Sequence, residues 1–129
     1  MAITLVLGGA RSGKSAYAQR QAEQAAAATG RPPLMIATAE AFDDEMRERI
    51  DRHRAERGDA WRTLEAPLDL ASAVQGLGAD DVVVVDCLTL WLSNQMLGDH
   101  DVATAIDDLT AAFAACPATV WIVSNEARW

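Results

Sequence analysis

The segment Gly8-Gly9-Ala10-Arg11-Ser12-Gly13-Lys14-Ser15 satisfies G-x-x-x-x-G-K-[ST] at every fixed position. The chemistry this spacing serves is the holding of a polyphosphate. Several backbone N–H groups must meet phosphate oxygens at once, and glycines let the loop close around them in dihedrals that other residues resist. A helix beginning near Lys14 would add its N-terminal dipole. Lys14 would carry a mobile positive charge to the β- and γ-phosphates, and Ser15 a hydroxyl ligand for Mg²⁺. The competing reading is a glycine-rich turn that fits by chance, which is rare in a chain this long and rarer with a strand before it and a helix after it. Of the 11 basic residues ten are Arg, and the single Lys is Lys14. A chain that otherwise uses Arg has kept the compact ammonium where phosphate geometry calls for one.

Two further positions could act with this loop. Val82-Val83-Val84-Val85 is a β-branched apolar run delivering Asp86, which would hold Mg²⁺ directly or through water. The bland alternative is an ordinary carboxylate at a strand end. The charged stretch 43–57 contains five of the ten arginines, and most of its charges are expected to pair at i, i+3 or i, i+4 on a solvated face. His53 does not fit that picture. At 100° per residue it shares a stripe with Phe42, Met46 and Ile50, the inward, apolar side of a helix. A lone His there is more often a satisfied core residue than a catalyst. Arg52, Arg54 and Arg57 would nevertheless disfavour its imidazolium form and leave the neutral ring that a nucleophile needs. The same arginines would stabilise phosphate charge built up during attack.

The elements that must position these groups follow from pattern. Strands are expected at 3–7, 34–37, 61–64, 82–85 and 119–123, and helices at 15–29, 42–57, 69–77, 88–97 and 101–115. Gly30 and Pro32 stop the first helix, and Gly58 the second. This alternation predicts an α/β fold of P-loop NTPase-like type, a mostly parallel sheet with helices on both faces. Right-handed crossovers would put the strands' C-terminal ends, and the ligand, along one edge.

Composition limits the function classes. The chain has 129 residues, 11 basic and 19 acidic, a net charge of −8, half its residues apolar and two cysteines. One compact nucleotide-binding domain over 1–129 is expected, without a disulfide scaffold. The acidic balance argues against binding to nucleic-acid polymers, whose affinity comes from clustered Lys and Arg. There is no apolar run of membrane-spanning length and no basic n-region at the start, so the expected location is the cytoplasm. Cys87 and Cys116 form no CxxC pair and read as reduced, buried thiols.

The motifs occur in a telling order. The loop Gly8 to Ser15 is followed by Ile36-Ala37-Thr38-Ala39, by Asp44-Glu45-Met46 with Arg49-Ile50 and His53, and by Trp61-Arg62-Thr63-Leu64-Glu65; Val85-Asp86-Cys87-Leu88-Thr89 and Val123-Ser124-Asn125-Glu126 come next. Together they closely resemble the bifunctional adenosylcobinamide kinase and adenosylcobinamide-phosphate guanylyltransferase family of cobalamin biosynthesis, from Ile3 to Glu126. The resemblance implies a nucleoside triphosphate, ATP or GTP, giving its γ-phosphoryl group to the aminopropanol hydroxyl of adenosylcobinamide. It then implies attack of the family's histidine, matched by His53, on the α-phosphate of GTP, and passage of GMP to adenosylcobinamide phosphate. By similarity, GTP contacts would fall on Gly8, Gly9, Ala10, Arg11, Ser12, Gly13, Lys14 and Ser15, on Thr38, Ala39 and Glu40, on Arg54, Ala55, Glu56 and Arg57, on Glu65 and on Asp86. For Glu65 a plain loop carboxylate remains the alternative. Members are similar in forming homotrimers.

The family normally continues on the order of 50 residues beyond the Ser124-Asn125-Glu126 motif, and this chain ends Ala127-Arg128-Trp129. The expectation is a domain lacking that C-terminal portion, with apolar faces of the sheet and first helices left uncovered. Three readings therefore stand at this point: the bifunctional enzyme, a P-loop small-molecule kinase of another kind, and a non-catalytic GTP-binding fragment.

Overall fold

The computed structural model describes residues 2–8, 13–39 and 44–125, with the backbone alone at 53, 57, 59 and 125. The elements run β1 (Ala2–Gly8), α1 (Lys14–Thr29), β2 (Leu34–Ala37), α2 (Asp44–Arg57), a 3₁₀ turn (Gly58–Ala60), β3 (Arg62–Glu65), α3 (Leu70–Gln75), β4 (Val82–Asp86), α4 (Leu88–Leu97), α5 (Val102–Ala114) and β5 (Thr119–Asn125). Every expected element is present; 34–37 and 88–97 match at both ends, and the other elements have ends shifted by at most two residues. Phe42, the expected start of the second helix, lies outside the described residues.

The five strands form one parallel sheet in the order β1-β5-β4-β2-β3. Successive strands are joined through helices because parallel neighbours cannot be linked by a hairpin. The central strand β4 shows why its sequence is continuously apolar. Val82 and Val84 face one layer and Val83 and Val85 the other, and all four are buried.

On the first face lies α1, whose Ala18, Ala22 and Ala26 pack beside Met35, Val84 and Val123. The four-residue spacing makes a smooth ridge with no long side chain to hold the helix off the sheet. Gly30, at φ 73°, ends α1 in the left-handed region and returns its N–H to the Ala26 carbonyl at 3.1 Å. The opposite face is covered by α3, α4 and α5, with Leu70, Val74, Trp91, Leu109 and Cys116 against Ile36, Val85 and Val120. Asp69 and Asp101 cap α3 and α5, accepting from the N–H groups of Ser72 and Thr104.

Two regions are thinly covered. Edge strand β1 leaves Ile3, Leu5 and Leu7 exposed, and Ile3 and Leu5 help line an apolar groove of about 600 Å³ with Met96, Ile106 and Phe113. Helix α2 has no fully buried side chain among its described residues; Met46 and Ile50 are half-buried. No helix among the described residues is long and apolar enough to cross a membrane.

Candidate functional site

The loop after β1 leads directly into α1. Gly13 stands before the helix at φ 77°, a conformation strained for any residue bearing a Cβ. Its carbonyl accepts the Tyr17 N–H at 3.0 Å, so the helical ladder begins there. Lys14 is buried to 8 % exposure at the first position of α1, and Ser15 follows it, half-buried. Gly9, Ala10, Arg11 and Ser12 lie outside the described residues, while Gly8 closes β1 opposite Asn125.

Ser15 meets Asp86 although β1, which leads into α1, and β4, which ends at Asp86, are not neighbours in the sheet. Strand β5 separates β1 from β4, and α1 bridges the gap by packing on both β5 and β4. The Ser15 hydroxyl lies 3.4 Å from Oδ2 of Asp86, to which it donates. Helix start and strand end thus converge at the C-terminal edge of the sheet, the edge to which right-handed crossovers direct the strand ends. These oxygens suit Mg²⁺, a hard cation whose adjacent octahedral ligands at roughly 2.1 Å stand about 3 Å apart. Among the described residues no group of three or more His, Cys, Asp or Glu could hold a metal alone. A site of one hydroxyl and one carboxylate suits an ion that takes its other ligands from water and phosphate.

Beside Asp86 a cavity of about 290 Å³ opens between the sheet end and α2, lined by Met35, Ala39, Met46, Ile50, Arg54 and Leu90 among others. Arg49 and Asp86 also reach it, so the cavity joins an apolar floor to charges of both signs. Cys87 lines it too. Burial, reinforced by the negative charge of Asp86, raises the thiol above its ordinary value, and it remains protonated at neutral pH. A nucleophilic role for it is disfavoured.

The remaining expected residues divide. Thr38 is completely buried, with its hydroxyl on the backbone of Cys87. Ala39 lies on the cavity wall, and Glu40 outside the described residues. Arg54 lines both the cavity beside Asp86 and a second hollow, where it is joined by Ala55, Asp51 and Arg62, and Glu56 is exposed. The backbone of His53 lies on α2 one turn after Ile50, and that of Arg57 ends the helix. Glu65 stands at the end of edge strand β3, paired with Arg47 at 2.8 Å.

Comparison with known proteins shows the family. Residues 4–129 match the family model for cobinamide kinase / cobinamide phosphate guanyltransferase. The chain belongs to this family. It is 46 % identical over 127 residues to the bifunctional adenosylcobalamin biosynthesis protein CobP of Pseudomonas aeruginosa, covering 95 % of this chain and 70 % of that protein. It is 38 % and 36 % identical to the bifunctional adenosylcobalamin biosynthesis proteins CobU of Salmonella typhimurium and Escherichia coli, covering 74 % of each.

For this cobinamide kinase / cobinamide phosphate guanyltransferase family member, the matched segment takes in the phosphate loop, Lys14, Ser15, α2 and Asp86. Two residues near the site escape sequence reasoning. Arg47 belongs to a charged stretch whose pattern points to a solvated face, yet it crosses to Glu65. Asn94 is 3 % exposed within α4 and donates to two carbonyls at the sheet edge. The available signal is an Asn-Gln pair inside a helix rich in Leu, Trp and Met, since a buried amide requires partners.

Proposed function

We propose that this chain phosphorylates adenosylcobinamide with a nucleoside triphosphate and then transfers GMP from GTP to adenosylcobinamide phosphate, giving adenosylcobinamide-GDP. Kinase and guanylyltransferase are the activities of the family to which it belongs. The observation that carries the reading is the convergence of Lys14, Ser15 and Asp86 at one edge of the sheet, beside a cavity walled by α2.

In the kinase step the loop's N–H groups and Lys14 hold the triphosphate, so its γ-phosphorus faces the attacking hydroxyl. The hydroxyl oxygen bonds to the γ-phosphorus and gives up its proton to solvent, the bond to the β–γ bridging oxygen breaks, and the nucleoside diphosphate leaves. Ser15 and Asp86 would hold Mg²⁺, which when bound neutralises charge on the phosphate oxygens. In the second step His53 acts as nucleophile. An imidazole nitrogen bonds to the α-phosphorus of GTP, the α–β bridging bond breaks, and pyrophosphate leaves a GMP-histidine phosphoramidate. A phosphate oxygen of adenosylcobinamide phosphate then attacks that phosphorus, and the P–N bond breaks. Dividing the transfer lets the anionic acceptor attack a phosphoramidate from which pyrophosphate has already left, instead of a whole triphosphate. Arg54, which lines the cavity with Asp86, would offset charge there.

The same reading takes residues 1–129 as one nucleotide-binding domain working in the cytoplasm as part of a homotrimer, on the strength of family resemblance. The test is incubation with Mg²⁺ and α-labelled GTP. The expected result is an acid-labile, alkali-stable label on the protein that His53→Ala abolishes. Absence of label in a folded sample that binds GTP would overturn the covalent route and favour a non-catalytic fragment. Nucleotidyl transfer surviving intact in His53→Ala would instead favour a kinase of another kind.

A further inference from the structure

The residue after Asp86 is held from outside its own strand. The Thr38 hydroxyl donates to the Cys87 carbonyl at 2.7 Å and accepts the Cys87 N–H at 2.9 Å, so one side chain brackets both polar groups of that residue. The Thr38 N–H donates to the Asp86 carbonyl at 3.1 Å, so Thr38 touches the backbone on both sides of the Asp86–Cys87 peptide. Thr38 is in turn held by Asn94, whose Nδ2 donates to the Thr38 carbonyl at 2.7 Å and to the Pro67 carbonyl at 3.0 Å. Both amide hydrogens face carbonyls, which fixes the amide's orientation: the flipped form would set its oxygen against two acceptors. Among the described residues the buried Asn94 Oδ1 has no hydrogen-bond partner. An acceptor left unmatched in the interior is a cost the two donated bonds must offset.

Thr38 and Asn94 therefore join three segments at the sheet edge: the end of β2, the loop before α3, and the end of β4. We propose that Thr38 is a positioning residue, whose hydroxyl fixes the backbone of Cys87 and so aims the Asp86 carboxylate at Ser15, with Asn94 fixing Thr38. The inference rests on reading Ser15 and Asp86 as the Mg²⁺ ligands at the nucleotide. Thr38 is completely buried and its hydroxyl is engaged twice, so its contribution to nucleotide binding passes through Asp86. A hydroxyl can bracket the N–H and the C=O of one residue in this way and an isosteric Val cannot, because donor and acceptor must come from one atom.

The test compares wild type with Thr38→Val, Thr38→Ser and Asp86→Asn by two binding measurements. One is Mn²⁺ affinity in the presence of GTP, followed by electron paramagnetic resonance. The other is affinity for a fluorescent GTP analogue in EDTA, which reads the loop without the metal. Thermal unfolding confirms that each variant is folded. Thr38→Val should weaken Mn²⁺ binding on the order of tenfold and leave metal-free nucleotide affinity within about twofold. Thr38→Ser should stay within about threefold of wild type on both. Unchanged Mn²⁺ affinity in folded Thr38→Val would overturn the proposal, as would an equal loss of metal-free nucleotide binding. If Asp86→Asn itself left Mn²⁺ affinity unchanged, the underlying reading of the metal site would fail instead. Should Thr38→Val not fold, Thr38→Cys carries the same test, since a thiol is a weak donor and acceptor; it should fall between wild type and the loss expected for Val, and wild-type Mn²⁺ affinity in it would overturn the proposal.

Discussion

The Ser15 hydroxyl and the Asp86 carboxylate stand 3.4 Å apart although 71 positions separate them in sequence. That contact exists because α1 crosses β5 and rests on β4, and it sets a hydroxyl and a carboxylate side by side at the phosphate end of the sheet. If the pair holds Mg²⁺, Asp86→Asn should raise the Mg²⁺ concentration needed for half-maximal GTP turnover by roughly tenfold or more, because an amide oxygen lacks the charge that binds a hard cation. Ser15→Ala should shift the same titration in the same direction. A titration curve unchanged in Asp86→Asn would refute the assignment.

Lys14 is nine-tenths buried where the phosphate loop becomes α1, and there Arg is not an equivalent. A planar guanidinium needs more room than a compact ammonium and cannot direct a point charge at phosphate oxygens from the same spot. Lys14→Arg is expected to lower kcat/KM for phosphoryl transfer by about 100-fold, corresponding to ~2.7 kcal/mol of transition-state stabilisation. Steady-state kinetics with a natively folded variant checks this; a loss below fivefold would show that charge alone suffices.

Sequence spacing makes the loop and the Val82–Asp86 strand readable because each is a local pattern: the motif residues lie within eight positions, and the apolar run ends at its own carboxylate. What joins them is not local. The clamp of Thr38 on Cys87 spans 49 positions and that of Asn94 on Thr38 spans 56, so no helical or strand period registers either. Helix α2 shows the same limit. Its charges suggest i, i+4 pairs, and Arg49 with Glu45 is one at 3.8 Å, but Arg47 turns to β3 because Glu65 ends the neighbouring edge strand.

Glu65 separates two roles by experiment. Its bond to Arg47 joins two partly exposed side chains, 43 % and 34 % accessible, and such a pair contributes less than about 1 kcal/mol. Arg47→Ala should therefore change the unfolding midpoint little. If Glu65 meets the nucleotide, Glu65→Ala should raise KM for GTP several-fold while Arg47→Ala does not. Equal and small effects from both would leave Glu65 as a structural partner only.

At the opposite end of the sheet Asp81 accepts the Gly78 N–H at 2.8 Å and meets Arg31 and Arg62, each at 3.2 Å. Burial would raise its carboxyl, but the Gly78 N–H and the two guanidinium groups outweigh it and hold the carboxyl below the usual carboxylate range. A depressed native value means that the stabilisation is complete above about pH 4 and is lost as the pH falls through that lower value. Asp81→Asn should cost about 1–3 kcal/mol in urea unfolding at pH 7. The gap from wild type should narrow toward pH 3; a gap independent of pH would refute the charge-based account.

The alanine ridge of α1 ties the core to the site. Ala18 and Ala22 are fully buried against the sheet, and Lys14 precedes Ala18 by one turn. Ala22→Leu adds three carbons where the helix lies flat, and overpacking of this kind costs typically 1–3 kcal/mol. The backbone can relieve the strain only by lifting α1 from β4 and β5, which separates Ser15 from Asp86. The variant should thus lose Mg²⁺-dependent GTP turnover at a temperature where it remains folded, whereas a matched destabilisation on the other face, such as Leu109→Ala in α5, should lower the unfolding midpoint and leave turnover per folded molecule unchanged. Equal losses of turnover from both substitutions would show that the alanine ridge has no special bearing on the site.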